Sequence, residues 1–382
     1  MDSLSQIVLG AGVQGATLGH YQGRKAYLYG AMLGTLPDLD TLIQHPDPIS
    51  NMTYHRGFSH SLIVLTALGL GGAWLISRYH RWRNMPLPYS TRRLALAMTL
   101  VLTTHPILDS FTVYGTQLLW PLQSPLDITP ISIASVFIID PLYTLPLLIA
   151  LIVGLMKGRR LGIFHTGLLA RCQRFAVWML IVSSGYLLAS LGLKQYAQAQ
   201  AERTLAAANI TPVRLKTMPV LPTILMWRTL AEDEQQRIIE IRGSVLDARL
   251  PEYRYLTQYD QSPQWRDNLP VQSRPYAQRL EWFSGDWTGY RVHTTAEQQQ
   301  LVVDDLRMMA GDLPFFRFVL AEKANERAPW QPITPIEAPA PTQDNQAQSS
   351  RFELIQQGFK RVFDEKAVDG REGWEVINEE SR

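Results

Sequence analysis

Hydrophobic positions divide the chain into an apolar N-terminal half and a polar C-terminal half. Within the first 195 residues, four strongly apolar stretches have about the length at which a helix spans a bilayer core, roughly 20 residues. Two weaker apolar stretches rich in Gly and Ala precede them, and this composition favours close packing as half-helices or a hairpin. The strong stretches are residues 61–77, 94–109, 133–156 and 175–193, and the weaker ones are 4–18 and 26–36.

Beyond residue 195 the pattern changes to short alternating runs separated by charged turns. We predict a helix over residues 196–209 that continues from the last apolar stretch, and strands over the alternating runs. We therefore expect a mainly α membrane protein: a multi-pass helical bundle over 1–195, an extracytoplasmic α+β domain over 196–336, and a flexible linker and polar tail over 337–382. The predicted strands are residues 223–231, 237–245, 288–295, 301–308 and 315–320.

Lysine and arginine residues between the apolar stretches predict the orientation. Residues 78–93 and 157–174 each contain five of them, whereas residues 110–132 contain none. Because cytoplasmic connections are enriched in Lys and Arg, the first and third connections are expected in the cytoplasm and the middle one outside. The C-terminal domain is then also expected outside the cytoplasm.

Composition excludes several classes of protein. The net charge of the 382 residues is +2, which is too small to indicate nucleic-acid binding. The single cysteine, Cys172, excludes an internal disulfide framework and a Cys-rich zinc ribbon.

Histidines and aspartates at the ends of the apolar stretches are the candidate functional residues. His105 and Asp109 are four residues apart on a predicted helix, so they share one face. His55 and His60 are five apart, and Ser59 is expected to cap a helix that begins at His60. Each pair also has a purely structural interpretation. His105 and Asp109 would form a hydrogen bond at a helix end, and His55 and His60 would be interfacial histidines at a capped helix start.

A third motif, Pro37-Asp38-Leu39-Asp40, adds two carboxylates. Alone it is typical of a turn, but the predicted topology brings it to the same outer face as the histidines. Imidazole and carboxylate together form a transition-metal site. Arg56, between the histidines, is suited to an anionic oxygen such as a phosphate.

Asp140 is a further candidate because it lies within an apolar stretch. An intramembrane carboxylate indicates a functional site by default. The alternative, which we favour, is that Asp140 caps a backbone loosened by Pro141.

These residues resemble the YdjM-like family of inner-membrane, metal-dependent hydrolases. The resemblance covers roughly residues 1–195 and implies a membrane-embedded helical bundle, in a bacterial inner membrane, with metal ligands drawn from the motifs. The motifs that carry it are residues 1–6 (MDSLSQ), 37–40 (PDLD), 55–61 (HRGFSHS), 104–109 (THPILD), 114–121 (YGTQLLWP) and 139–144 (IDPLYT).

More distantly, the order of motifs is similar to zinc-dependent phospholipase C, which implies a phosphoester substrate. That enzyme class adds a further His and a His-x-x-x-Glu pair, which do not follow in the membrane half here. Shorter family members have a histidine where this chain has Gln6, so Gln6 is at most a weak or indirect ligand. One or two metals are therefore expected rather than three.

The sequence thus predicts a hydrolase that acts on a phosphoester of a lipid or lipid-linked substrate at the outer face of the membrane. The expected cofactor is a divalent metal, zinc before manganese, and the expected catalytic residues are Asp40 as general base and Arg56 as stabiliser of negative charge. Two alternatives remain: a non-enzymatic, metal-stabilised scaffold whose outer domain binds a partner, and a transporter that uses Asp140, which the absence of an internal repeat disfavours. The predicted metal ligands are Asp38, Asp40, His55, His60, His105 and Asp109.

Overall fold

The structure is a computed structural model of the full chain. It describes residues 1–122, 128–158, 166–221, 223–259, 265, 269–295, 297–310, 313–338, 360–363 and 374–375. These form two compact units. The first contains residues 1–44, 54–133 and 138–189, and the second contains residues 45–53, 134–137 and 190–382 as far as they are described.

The first unit is helical. Two of its helices, Leu62–Trp82 and the long helix that includes Gly167–Ala207, are long and apolar enough to cross a membrane, and Pro141–Lys157 is apolar but shorter. Two short 3-10 helices, Pro37–Leu42 and Phe58–His60, lie between the longer elements. The α-helices are α1 Ser3–Gln22, α2 Arg24–Thr35, α3 Pro48–Tyr54, which lies almost wholly in the second unit, α4 Leu62–Trp82, α5 Thr91–Ser110, α6 Pro141–Lys157 and α7 Thr166–Ala207, which continues into the second unit.

The predicted weak segments form a tight helical hairpin. α1 and α2 are separated only by Gly23, whose φ of 55° lies in the left-handed region. A Cβ on Gly30 would lie 2.2 Å from the carbonyl oxygen of Gly10, and one on Gly10 would lie 2.3 Å from that of Gly30. The two backbones are therefore in direct contact, as small residues at a helix interface allow.

Two helix starts differ from the sequence predictions. The stretch predicted as a span from residue 133 becomes helical only at Pro141, where Asp140 is the N-cap and accepts a hydrogen bond from the Leu142 amide. Similarly, Ser61 rather than Ser59 caps α4. His60 consequently lies in the preceding 3-10 helix, so its placement in the first turn of α4 was wrong.

The second unit contains two four-stranded antiparallel sheets, with strand orders β1-β2-β3-β4 and β10-β9-β6-β5, and a small β7-β8 hairpin. The five predicted strands are found as β2, β3, β5, β6 and β9. A helix, α8 Arg274–Ser284, precedes β5. The strands are β1 Pro212–Leu221, β2 Thr223–Asp233, β3 Ile238–Ser244, β4 Glu252–Tyr255, β5 Thr288–Thr294, β6 Gln299–Asp305, β7 Met309–Ala310, β8 Leu313–Pro314, β9 Arg317–Lys323 and β10 Gln331–Glu337.

Buried charge reinforces the first sheet. Glu240 is fully buried and pairs with Arg228, Arg242 and Arg254. Burial alone would raise the pKa of Glu240, but the three guanidinium groups outweigh it and hold the pKa well below its usual range.

Part of the C-terminal tail contacts this unit. Arg361 forms a bidentate ion pair with Asp247, with N–O distances of 2.7 and 2.9 Å. The backbone of Glu375 pairs antiparallel with that of Tyr253 in the edge strand β4. Most of the predicted linker and polar tail over 337–382 lies outside the described residues. The predicted domain boundaries at 195 and 336 stay predictions.

Candidate metal centre

Four donor atoms converge in the helical unit. Asp38 comes from the first 3-10 helix, His60 from the second, and His105 and Asp109 from α5. The Nε2 atoms of His60 and His105 are 3.2 Å apart. One ligand atom from each of the four residues lies within 4.8 Å of the others. The sequence motifs, separated by up to 71 positions, therefore meet at one point.

The separations match those of a bound metal. Asp38 Oδ1 is 3.4 Å from His60 Nε2 and 3.2 Å from His105 Nε2. Asp109 Oδ2 is 3.3 Å and 3.7 Å from the same two nitrogens. Tetrahedral zinc with bonds of about 2.0–2.1 Å would place neighbouring donors about 3.3 Å apart.

Hydrogen bonds to the far side of each imidazole fix which nitrogen faces the centre. His105 Nδ1 lies 2.7 Å from the carbonyl oxygen of Gly34, which only accepts, so Nδ1 carries the proton. His60 Nδ1 lies 3.0 Å from Ser59 Oγ, which donates its own proton to Asp40. His60 Nδ1 is therefore the donor to Ser59. Both Nε2 lone pairs then face the centre, as metal ligation requires.

The two carboxylate oxygens of Asp109 have different partners. Its Oδ1 accepts a 2.9 Å hydrogen bond from Gln6 Nε2 and pairs with the Met1 amino group. Its Oδ2, fully buried, makes no well-aligned hydrogen bond among the described residues, although Arg56 Nε lies 3.2 Å from it. Arg56 and the Met1 amino group balance the charge of Asp109 from its far side. The two imidazole lone pairs and Asp38 Oδ1 face the centre as acceptors, so the residues present fit a metal ion.

Asp40 and His55, which were also predicted as ligands, lie outside the group of four. His55 Nδ1 donates to Asp40 Oδ1 at 2.8 Å. Asp40 Oδ2 accepts from the Ser59 hydroxyl and, at 3.2 Å, from the Arg56 amide. The structure therefore places Asp40 and His55 behind His60, connected to it through Ser59.

Arg56 also differs from its predicted setting. It is buried, and its guanidinium group lies 3.2 Å from Asp109 Oδ2 through Nε, 3.3 Å from Thr112 Oγ1 through Nη1, and over the Tyr114 ring at 4.7 Å. Its φ of 65° is in the left-handed region, which is unfavourable for a side chain of this size. The structure therefore directs Arg56 at Asp109.

These contacts shift the pKa values of Asp38, Asp40 and His60. Burial raises the pKa of Asp38, but its contacts with the imidazoles of His105 and His60 outweigh it and hold the pKa far below its usual range. Burial raises the pKa of Asp40 as well, and His55 and Ser59 reverse that change. Burial lowers the pKa of His60, but bonds to Asp109 and Asp38 outweigh it and raise the pKa. A proton on His60 is thus the alternative to a metal cation.

Exposure identifies the open side of the centre. The side chains of His60, His105 and Asp109 are at most 1% exposed, whereas that of Asp38 is 22% exposed. A small molecule would therefore reach the centre from the side of Asp38.

Asp140 plays the structural role that we favoured. Besides capping α6, it accepts a 2.8 Å hydrogen bond from the Tyr186 hydroxyl. It is not a member of the four-donor group.

A known family matches the N-terminal part of the chain. The sequence profile of the YdjM inner membrane protein family matches residues 1–197, slightly more than half of the chain. The chain belongs to this family. No curated protein and no solved structure matches the chain. The YdjM match contains all four donors, and the distant likeness to zinc-dependent phospholipase C stays a prediction.

Two partners of the centre were missed at the sequence level. Ser59 was assigned to a helix cap, although its position beside His60 is also suited to a hydrogen bond with the imidazole. Gly34 contributes through its backbone carbonyl, for which side-chain patterns give no signal. Gln6 contributes as a donor to Asp109 and, at 3.3 Å, to the carbonyl oxygen of His105.

Proposed function

We propose that the chain is a membrane-bound, metal-dependent hydrolase that acts on a phosphoester of a lipid or lipid-linked substrate at the outer face of the bacterial inner membrane. The single observation that carries the proposal is the convergence of one ligand atom each from Asp38, His60, His105 and Asp109 within 4.8 Å of one another. Zinc is the first expected metal and manganese the second.

The donor set favours hydrolysis over a structural role. Structural zinc sites in proteins are mostly built from cysteines, whereas histidine and carboxylate ligands are typical of hydrolytic sites. A bound divalent metal supplies an activated water and a Lewis acid for the phosphoryl oxygen. His60 and His105, with their proton-bearing nitrogens fixed by Ser59 and Gly34, would hold it.

The remaining residues receive revised roles in this proposal. Asp40, whose two oxygens are already bonded to His55, Ser59 and the Arg56 amide, positions His60 rather than accepting the substrate's proton. Arg56 positions Asp109 and balances its charge. Asp38, the carboxylate on the exposed side, stays a metal ligand, because its lowered pKa makes it a poor proton acceptor.

Apolar side chains beside the centre support a lipid substrate. The 3-10 helix that directs Asp38 and Asp40 inward leaves Leu39 and Leu42 exposed by 52% and 77%. Ile43, directly after it, is 50% exposed. Such a rim is suited to acyl chains or to the bilayer surface.

The proposed topology is a multi-pass helical region with the centre and the C-terminal unit outside the cytoplasm. It is supported by the distribution of Lys and Arg between the apolar stretches and by the two helices that are long enough to cross a membrane. The bilayer is then the protein's direct environment.

One observation favours a second function, the metal-stabilised scaffold. Four protein donors complete a tetrahedral site, whereas catalytic zinc usually keeps one position for water. The Asp38 side chain would have to leave, or the coordination number would have to rise, for a substrate to bind.

Metal-dependent turnover distinguishes the two functions. Purified protein would be assayed on a phospholipid and a lipid diphosphate, after chelation and after zinc or manganese is restored. The hydrolase proposal expects turnover that is abolished by chelation, restored by metal, lost in Asp38→Asn and retained in the control Asp286→Asn of the C-terminal unit. Bound metal without turnover on any phosphoester would favour the scaffold.

A further inference from the structure

A groove on the helical unit combines positive charge with an apolar wall. It is lined by Arg24, Lys25 and Leu28 of α2 and by Leu155 and Met156 of α6, and encloses about 490 Å³. Leu28 is 46% exposed and Met156 is 71% exposed. The groove lies beside Gly23 and Gly158. It is at the N-terminal end of α2, whereas the turn that carries Asp38 follows the C-terminal end of the same helix.

The base of the groove is tightly packed. The Arg24 amide donates to the carbonyl oxygen of Gly158. A Cβ on Gly154 would lie 2.3 Å from the ring of Tyr27, so α2 and α6 are in close contact there. The buried Tyr27 hydroxyl in turn donates to the carbonyl oxygen of Cys172. The spacing of the two helices at the groove is therefore set by packed side chains and backbone.

The side chains of Arg24 and Lys25 make the groove positively charged. Within the described part of the chain, neither Arg24 nor Lys25 has a carboxylate partner, and Lys157 ends α6 beside them. Residues 3–37, 78–93 and 141–174 contain no Asp or Glu at all. Cations that remain unpaired next to exposed leucine and methionine are complementary to a molecule with an anionic head and an apolar tail.

We propose that this groove binds an anionic phospholipid of the surrounding bilayer, with the phosphate at Arg24 and Lys25 and an acyl chain along Leu28, Leu155 and Met156. Basic pockets between membrane helices on the cytoplasmic side are suited to anionic head groups. The ligand stabilises the contact between α2 and α6. This site is separate from the proposed hydrolytic centre and does not depend on its activity.

Native mass spectrometry of the full-length protein tests the proposal. Delipidated protein in mild detergent would be incubated with equal amounts of phosphatidylglycerol and phosphatidylcholine of the same chain length. We expect the wild type to retain phosphatidylglycerol preferentially. Arg24→Gln/Lys25→Gln should lower that preference about 30-fold, since each cation near an anionic surface contributes about 1 kcal/mol. The matched control Arg81→Gln/Arg83→Gln, another basic pair, should keep it.

Two further measurements keep the test decisive if the double variant does not fold. The wild-type preference should disappear in about 1 M salt, where charges are screened within about 3 Å. Leu28→Gln/Met156→Gln, which retains both cations, should weaken binding of both lipids, and added inorganic phosphate should not compete. Equal retention of the two lipids by the wild type, or an undiminished preference in high salt, would overturn the proposal. So would a preference lost only in the Arg81/Arg83 control.

Discussion

Hydrogen bonds behind the ligands decide what each residue of the centre can do. The Gly34 carbonyl and the Ser59 hydroxyl each hold one imidazole proton away from the centre, while Gln6 occupies one oxygen of Asp109. The free atoms of the same side chains are consequently directed at one point. The groups that hydrogen-bond to the four donor residues therefore determine which atoms face the centre as much as the donor residues themselves do.

Ser59→Ala tests this second layer. Removing the hydroxyl breaks the connection between His60 and Asp40, so His60 loses its orientation. We expect metal affinity to fall about 10- to 100-fold, with the fold retained, in a titration with a competing chelator. Ser3→Ala, an exposed serine of α1, should bind metal as the wild type does. Unchanged affinity in Ser59→Ala would show that the Asp40–Ser59–His60 connection does not position the ligand.

Metal binding should also depend on pH. The pKa of His60 is raised by its bonds to Asp109 and Asp38, so protons compete with the metal at a higher pH than for a free histidine, whose pKa is about 6.5. Affinity should therefore be highest at alkaline pH and fall as the pH decreases, beginning above that value. A dissociation constant that is the same at neutral and mildly acidic pH would contradict protonation of a ligand.

At the scale of elements, the α1–α2 hairpin is the support on which the ligands are assembled. α1 carries Gln6, and α2 ends at the Gly34 carbonyl and the 3-10 helix of Asp38. The backbone contact of Gly10 with Gly30 leaves no space for a side chain. The hairpin therefore depends on glycine for packing at Gly10 and Gly30, in addition to the positive φ of Gly23 at its turn.

Gly30→Ala should accordingly destabilise the protein. The added methyl group would lie 2.2 Å from the Gly10 carbonyl oxygen, which forces the helices apart at a cost of about 1–3 kcal/mol. Thermal unfolding in detergent should show a lower Tm. Gly71→Ala is the matched control, because nothing lies within 4 Å of its added Cβ, and its Tm should be unchanged or slightly higher. Equal Tm values for the two variants would show that the hairpin is not tightly packed.

Hydropathy predicted where helices occur better than where they begin. The stretch 133–156 is continuous in hydrophobicity, but the helix begins only where Asp140 can cap it and Pro141 can occupy its first turn. The same limit applied to Ser59 and Ser61, two serines that are both suitable as caps. Strands β1, β4 and β10 were missed because Lys, Arg, Glu and Pro interrupt their alternation.

At the scale of the whole molecule, the chain joins a helical unit that matches the YdjM family to a unit with two antiparallel sheets. The family match ends at residue 197, within α7. The candidate donor residues could be singled out from sequence because metal chemistry restricts residue type. The separation of the group of four from Asp40 and His55 could not be predicted, because it depends on which side-chain atoms meet in space.

The proposed topology can be measured by cysteine labelling. In a Cys172→Ser background, Glu234→Cys in the exposed β2–β3 turn should react with a membrane-impermeant maleimide in intact spheroplasts. Arg83→Cys, after α4, should react only once the membrane is permeabilised. The reverse pattern would place the C-terminal unit in the cytoplasm, and labelling of both in intact cells would contradict a span between them.

The most direct test of the central claim is the metal content of the purified protein, determined by elemental mass spectrometry for the wild type, His105→Ala and the control His80→Ala. The four-donor geometry predicts near-stoichiometric zinc or manganese in the wild type and the control, and its loss in His105→Ala. Wild-type protein without metal, even after reconstitution with added ions, would contradict the account and leave a histidine–aspartate cluster held together by protons.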